Sequence, residues 1–202
     1  MENLRTIGIL LFLYAVILGL GFYYLQSFAE EDVYLFFLIN SISSPLLNAF
    51  FSITTWLGSV YFWIAATIIL WIKEKRELSS FMAVGLLIGG LSTLILKFLI
   101  MRPRPYDVIQ PFKLMGTELG FSFPSFHAVI IFMALIILAY DNRKWIIPML
   151  LVACIVSFGR VYLGIHYPTD VIFGALFGII IGFITINLPA EDLQDYIEKK
   201  MK

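Results

Sequence analysis

Long apolar runs, separated by short polar stretches, make up most of this chain of 202 residues. A helix that crosses a bilayer core of about 30 Å needs roughly 20 apolar residues, and six segments approach that length. We therefore predict membrane-spanning helices at about Ile7–Leu25, Asn48–Ile72, Ser79–Met101, His127–Tyr140, Trp145–Leu163 and Asp170–Leu188. The predicted fold is all-α: a bundle of six transmembrane helices that forms a single membrane-embedded domain over residues 1–202.

The composition supports this class and argues against others. The mean hydropathy is +0.92 and charged residues make up 14% of the chain, which excludes an ordinary soluble domain. The formal net charge is zero, which argues against a nucleic-acid partner. Arg5 followed by an apolar run resembles a secretory signal, but the run of about 19 residues exceeds the roughly 7–15 of a signal core. We therefore expect this first helix to be retained.

The connection between the first two predicted spans, residues 26–47, has a pattern of its own. It contains Glu30, Glu31 and Asp32 and then continues with mostly apolar residues as far as Pro45. Because the apolar part is too short to cross a bilayer and its start is polar, we predict a short helix lying in the membrane interface. This helix would either form a lip for lipid entry or simply pack on the bundle surface.

Basic residues are distributed unevenly between the two ends of the predicted bundle. The end with the N-terminus has Arg5, Lys73, Lys75, Arg76, Arg143, Lys144, Lys199, Lys200 and Lys202, and the other end has Lys97, Arg102, Arg104, Lys113 and Arg160. The positive-inside rule then predicts that both termini, including a tail at 190–202, are cytoplasmic. The second end would face outward from the cell membrane.

Residues suited to phosphate chemistry are concentrated between positions 97 and 170, toward the predicted outer end. Transfer of a phosphoryl group requires positive charge around the phosphate oxygens, which Lys97, Arg104 and Arg160 can supply. His127 follows Ser125 at the start of a predicted helix, where backbone amides favour an anion. Taken alone, Lys97 and Arg104 are equally consistent with headgroup anchoring, and His127 with a structural histidine.

His166 and Asp170 are four residues apart, so they share a face if the sixth span begins there. A carboxylate in that position can accept a hydrogen bond from one ring nitrogen and direct the other nitrogen toward a phosphorus atom. Capping of the helix is the alternative role for Asp170. A zinc site built from the two histidines and Asp170 is disfavoured by the sparse ligand set and the neighbouring cations.

The three groups together resemble a known signature. In order they are Lys97-x6-Arg104-Pro105, Pro124-Ser125-Phe126-His127 and Arg160-x5-His166-x3-Asp170. This set is similar to the three-part signature of the type 2 phosphatidic acid phosphatase/vanadium haloperoxidase superfamily, and the hydropathy resembles its membrane branch. The resemblance implies that His166 is a nucleophile forming a phosphohistidine, that Asp170 orients it, and that His127 is the general acid. It further implies that Lys97, Arg104, Ser125, Phe126 and Arg160 hold the phosphate, with no metal or other cofactor.

Two positions depart from that signature. Phe126 stands where glycine is usual, and a requirement for positive φ there would strain a phenylalanine; its ring would also reshape the pocket or stack on the substrate. Gly159 stands where serine is usual, which removes one hydroxyl group from the phosphate site.

We therefore predict an enzyme that hydrolyses a lipid phosphate or diphosphate at the outer membrane surface. Candidate substrates are phosphatidylglycerol phosphate, an undecaprenyl-type diphosphate, phosphatidic acid and the 1-phosphate of lipid A, with Arg102 and Lys113 as extra charge for a second phosphate. Two alternatives stay open from the sequence. One is a lipid phosphotransferase that passes the phosphoryl group to an acceptor hydroxyl. The other is a non-catalytic lipid-binding protein whose pocket Phe126 has closed.

Overall fold

The computed structural model describes residues 2–42, 44–112 and 116–188, and the regular secondary structure in these ranges is helical. The predicted all-α class is therefore confirmed for the described part of the chain. The α-helices are α1 Glu2–Ser27, α2 Ala29–Asn40, α3 Pro45–Thr54, α4 Val60–Ile72, α5 Arg76–Ile100, α6 Pro105–Val108, α7 Phe126–Asp141, α8 Ile146–Tyr162 and α9 Pro168–Ile186. Two short 3-10 turns occupy Thr55–Gly58 and Arg143–Trp145. Lys113 and the predicted tail at 190–202 lie outside the described residues.

Within the described residues, four helical segments are long and apolar enough to cross a membrane: Asn3–Ser27, Arg76–Val108, Arg143–Tyr162 and Pro168–Ile186. Helices α4 and α7 are apolar but shorter. The chain is therefore a multi-pass membrane protein, and the count of six spans stays a prediction.

The helix predicted over Asn48–Ile72 is interrupted, so that prediction was wrong in its continuity. Helix α3 ends in the turn Thr55–Gly58, and Ser59 then adopts an extended backbone with ψ of 147°. Its hydroxyl accepts a hydrogen bond from the amide of Phe62 at 3.2 Å and caps α4. Serine favours such caps because its side chain replaces the missing backbone partner. The break brings Thr55 and Gly58 against α7 and α8.

Helix α2 forms within the connection for which an interfacial helix was predicted. Its buried side chains are Asp32, Phe36 and Asn40, which are spaced by four residues on one face. Phe36 packs on the ring of Tyr167 with centroids 5.6 Å apart, and Asn40 donates to the carbonyl of Tyr162 at 3.0 Å. This face is therefore attached to the ends of α8 and α9. Its position relative to a membrane interface stays a prediction.

Helix α7 lies at the centre of the core, and α9 packs closely along it. A methyl group at Gly178 would collide with the carbonyl of Val129, and one at Gly174 would lie 2.8 Å from the carbonyl oxygen of Ser125. Glycine at these two positions therefore allows the backbones of α7 and α9 to approach closely. The amide of Ser125 donates to the carbonyl of Asp170 at 2.9 Å, so the N-terminal ends of α7 and α9 are joined.

Candidate active site

The three predicted sequence groups meet at one end of the bundle. Lys97 lies in the last turn of α5 and Arg104 precedes α6. Ser125 and His127 lie at the start of α7, Arg160 in the last turn of α8, and Asp170 in the first turn of α9. His166 lies in the tight connection between α8 and α9, where its amide donates to the carbonyl of Arg160 at 3.2 Å.

Asp170 is fully buried and accepts several hydrogen bonds. Its Oδ2 is 3.3 Å from Nδ1 of His166 and accepts from the amide of Tyr167 at 2.9 Å and from the hydroxyl of Ser122. Its Oδ1 accepts from Nη1 of Arg102 at 2.7 Å. The carboxylate therefore has one fixed orientation, and one of its bonds is to the imidazole of His166. Ser122 was not among the predicted site residues.

The second nitrogen of His166 faces a guanidinium group. Nε2 of His166 is 3.2 Å from Nη1 of Arg104. Arginine has donors but no acceptor, so Nε2 carries the lone pair and Nδ1 carries the hydrogen that points to Asp170. Burial lowers the pKa of His166, and its interactions with the carboxylates of Asp170 and Glu118 offset this only in part. The imidazole is therefore neutral near pH 7, with the lone pair on Nε2.

Arg102 is tied to helix α2. Its Nη2 donates to Oδ2 of Asp32 at 2.6 Å while its Nη1 donates to Asp170. Asp32 also accepts from the amide of Thr169 at 3.0 Å and from the Thr169 hydroxyl. The guanidinium lies 3.9 Å from the ring centroid of Tyr167. Asp32, which was predicted only as part of the polar start of a surface helix, is thus buried beside the site.

Glu118 lies between the predicted catalytic groups, and sequence reasoning missed it. Its Oε1 accepts from Nη2 of Arg160 and is 3.8 Å from Nδ1 of His127. Its Oε2 is 3.2 Å from Nη1 of Arg104 and 3.8 Å from Nε2 of His166. Burial alone would raise the pKa of Glu118, but its interactions with His166 and Arg160 outweigh burial and hold that pKa well below its usual range. Glu118 is therefore a carboxylate.

The remaining predicted phosphate-binding residues have varied surroundings. Nζ of Lys97 donates to the carbonyl of Phe121 and lies 3.4 Å from that of Ser122, so it holds the loop before α7. Arg160 donates from Nη1 to the hydroxyl of Thr55 at 3.0 Å. The Ser125 hydroxyl and Nε of Arg160 are buried without a hydrogen-bond partner among the described residues.

Both departures from the signature have a structural explanation. Phe126 begins α7 without positive φ, and its ring packs toward α5, 3.9 Å from a Cβ placed on Gly90. The expected strain is therefore absent, and the ring does not line the cleft described next. A Cβ at Gly159 would lie 3.0 Å from Cδ1 of Phe51. Glycine at 159 thus makes room for the aromatic ring of α3.

A cleft of about 390 Å³ opens at His127, Glu118 and Arg160. It runs beside the break between α3 and α4, and its wall includes the exposed rings of Trp56 and Tyr61. The cleft thus joins the polar centre to an aromatic outer surface.

The chain matches the family model of the PAP2 superfamily over residues 78–193, which is more than half its length. It is also 30% identical over 174 residues to an undecaprenyl-diphosphatase of Sulfolobus acidocaldarius, covering 85% of this chain and 84% of the relative. The chain belongs to the PAP2 superfamily. These matches confirm the predicted resemblance, and with it the prediction of a phosphatase of this superfamily.

Two solved structures are similar to this PAP2 protein. LpxE of Aquifex aeolicus superposes with a TM-score of 0.70 at 31% identity and covers 76% of this chain and 93% of its own. A PAP2-type phosphatidylglycerolphosphate phosphatase of Bacillus subtilis superposes with a TM-score of 0.69 at 23% identity, covering 97% of both chains. The second similarity supports the fold alone.

Proposed function

We propose that this PAP2 protein hydrolyses a lipid phosphate or lipid diphosphate without a metal ion, through a phosphohistidine on His166. The observation that carries the proposal is the arrangement around Nε2 of His166. Its Nδ1 is held by Asp170 at 3.3 Å, and Arg104 and the carboxylate of Glu118 lie at Nε2. Because the Glu118 carboxylate is bound by Arg104 and Arg160, the same guanidinium groups suit a phosphate.

In the first step Nε2 of His166 attacks phosphorus, and the bond from phosphorus to the lipid oxygen breaks. His127 donates a proton to the departing oxygen, and Arg104, Arg160 and Lys97 stabilise the charge on the phosphoryl oxygens. In the second step His127 takes a proton from water, and the water oxygen attacks phosphorus. The bond from phosphorus to nitrogen breaks, inorganic phosphate leaves, and His166 is again neutral.

The proposed substrate is a lipid that enters laterally from the outer leaflet. The cleft with Trp56 and Tyr61 in its wall supports this route, because aromatic side chains favour the membrane interface. The uneven distribution of lysine and arginine supports an outward site with both termini cytoplasmic. An undecaprenyl-type diphosphate is the preferred candidate, since one relative, which matches 85% of this chain, is an undecaprenyl-diphosphatase.

The proposal is tested by phosphate release from the purified protein in detergent. The panel contains a polyprenyl diphosphate, phosphatidic acid, phosphatidylglycerol phosphate and lipid A 1-phosphate, each with and without EDTA. We expect release from at least one lipid, no effect of EDTA, and complete loss in His166→Ala with unchanged thermal unfolding. Undiminished release in His166→Ala would contradict the mechanism, and strong inhibition by EDTA would contradict metal independence.

A second arm of the assay separates hydrolysis from transfer. The same lipids are incubated with added sugar and lipid alcohols, and both free phosphate and phosphorylated acceptor are measured. Free phosphate without an acceptor supports the hydrolase. A phosphorylated acceptor formed without free phosphate would instead identify a phosphotransferase.

A further inference from the structure

Each oxygen of the Glu118 carboxylate contacts one arginine and one histidine. Oε1 contacts Arg160 and lies 3.8 Å from His127, while Oε2 lies 3.2 Å from Arg104 and 3.8 Å from His166. Two non-bridging oxygens of a bound phosphate would contact the same two arginines and two histidines. The carboxylate and a bound phosphate therefore compete for one position.

Glu118 also shields the groups that it contacts. The side chains of Arg104, Arg160 and His166 are 2%, 3% and 1% exposed, whereas that of Glu118 is 32% exposed. Glu118 and Arg160 line the cleft, whereas Arg104 and His166 do not, so the Glu118 carboxylate lies between these last two groups and the cleft. Any ligand that reaches Nε2 of His166 must first displace it.

The backbone of Glu118 is held by Tyr106, which is not one of the proposed catalytic residues. The hydroxyl of Tyr106 donates to the carbonyl of Glu118 at 2.7 Å and accepts from its amide at 3.0 Å. Glu118 lies in a non-helical segment between Gly116 and Gly120, both with positive φ. The carboxylate is therefore presented by a short tethered loop, from which the side chain can leave without unwinding a helix.

We propose that Glu118 is a specificity-determining residue that excludes phosphodiester lipids from the phosphate site. The inference rests on the proposed function only in that this site binds phosphate. Phosphodiester headgroups surround any membrane enzyme at high local concentration, and each carries one negative charge. A phosphodiester would therefore bind Arg104 and Arg160 little better than the Glu118 carboxylate does. The carboxylate has the same charge and is already attached to the protein, which gives it a high effective concentration.

A terminal phosphate differs from a phosphodiester in charge and in shape. It carries nearly two negative charges near neutral pH because its second pKa is about 6, and it has a third non-bridging oxygen. It can therefore displace the carboxylate from Arg104 and Arg160, whereas the diester cannot. Glu118 thus selects a terminal phosphate group, whether it belongs to a phosphomonoester or to a diphosphate.

The test measures binding by the purified full chain in detergent. Calorimetry gives the affinity for inorganic phosphate and orthovanadate, and dioleoyl phosphatidylglycerol in the micelle serves as the competing diester. We expect Glu118→Gln to bind both anions at least about 10-fold more tightly, because the internal competitor has lost its charge. We also expect phosphatidylglycerol to compete with vanadate in this variant but not in the unmodified protein.

Three further variants control the result. Glu31→Gln removes one exposed carboxylate from α2, and its affinities should equal those of the unmodified protein. Glu118→Asp keeps the charge but shortens the side chain, so its affinities should lie between those of the unmodified protein and those of Glu118→Gln. Tyr106→Phe removes the hydroxyl that holds the Glu118 backbone, and it should shift affinity in the same direction by a smaller factor.

Equal phosphate affinity in Glu118→Gln and the unmodified protein would overturn the inference. Equal competition by phosphatidylglycerol in both would do the same, as would the failure of both proteins to bind either anion. Tight binding without phosphate release from any lipid would instead contradict the proposed hydrolysis and leave the role of Glu118 standing.

Discussion

The two histidines of the site have contrasting surroundings. His166 is 1% exposed, and both of its ring nitrogens face named polar groups. Its partner Asp170 is fixed in turn by Ser122, Tyr167 and Arg102. His127 is 17% exposed, opens onto the cleft, and lies 3.8 Å from Glu118, its charged neighbour. His166, the proposed nucleophile, is thus held by the protein, whereas His127, the proposed acid, faces a carboxylate that a ligand could replace.

The contrast matches what each histidine would do in the proposed reaction. Attack on phosphorus requires one tautomer and one direction of the His166 lone pair, and a network of buried hydrogen bonds provides both. To donate a proton to a leaving oxygen, His127 must face a substrate that enters through the cleft. It is therefore held by fewer hydrogen bonds from the protein than His166. Changes to the groups that hold His166 should therefore lower kcat for every substrate, whereas the effect of changes at His127 and Glu118 should depend on the substrate or ligand.

Among the groups that hold His166, the largest expected effect comes from Asp170→Asn. The amide can turn its NH₂ group toward His166 and favour the wrong tautomer, so we expect kcat to fall about 10³–10⁴-fold, as such changes do in catalytic triads. Steady-state phosphate release measures this loss. A fall of less than about 10-fold would show that the orientation of His166 does not depend on the carboxylate.

His127→Ala should have a smaller effect that depends on the substrate. Loss of a general acid costs about 10²–10⁴-fold with an alkoxide leaving group. With p-nitrophenyl phosphate, whose leaving group needs no proton, the cost in kcat/KM, which does not include the second step, should fall to within about 10-fold. A loss that is equal for both substrates would contradict the assignment of His127 as the acid.

Asp32→Asn extends the comparison to helix α2. The change removes the charge that faces Arg102 across 2.6 Å while keeping a similar shape. Because Arg102 also holds Asp170, we expect kcat to fall about 10-fold at nearly constant KM. Glu31→Gln on the same helix should have no effect. A rise in KM without a change in kcat would instead assign Asp32 to substrate binding.

The pH profile gives a more modest but directional test. His166 must be neutral to attack, so kcat/KM should fall on the acidic side as this group becomes protonated. Burial lowers the pKa of His166, which places the acidic limb below the ordinary histidine value of about 6.5. We measure kcat/KM between pH 4 and 9. An acidic limb above pH 7 would contradict the neutral nucleophile.

Phe126→Gly should have the smallest catalytic effect, although it restores the usual signature. The ring packs toward α5 and does not line the cleft, so we expect kcat/KM to change less than about threefold. Loss of its packing should lower the free energy of unfolding by roughly 1–3 kcal/mol. A large gain in activity would show that the ring obstructs the site.

The site residues that could be predicted from the sequence are those that lie close together along the chain at a regular spacing. His166 and Asp170 are one helical turn apart, and Ser125 and His127 mark the start of a helix, so their neighbourhood follows from the chain itself. The structure brings these predicted residues together, and their catalytic roles stay predictions.

The missed residues come from distant parts of the chain. Asp32 reaches Thr169 across 137 positions, and Glu118 reaches Arg160 across 42. Neither belongs to a helical repeat or a spaced motif that would connect it to the site. The break at Ser59 was missed because the surrounding residues are apolar, so hydropathy alone continues through the cap.

Detection of a phosphohistidine would establish His166 as the nucleophile. The protein is mixed with a polyprenyl diphosphate labelled with ³²P in its terminal phosphate, quenched within milliseconds at alkaline pH, and digested to peptides. We predict an acid-labile, alkali-stable label on His166 that reaches its maximum before free phosphate accumulates and is absent from His166→Ala. Phosphate release without any labelled peptide, or a label that persists in His166→Ala, would contradict the account.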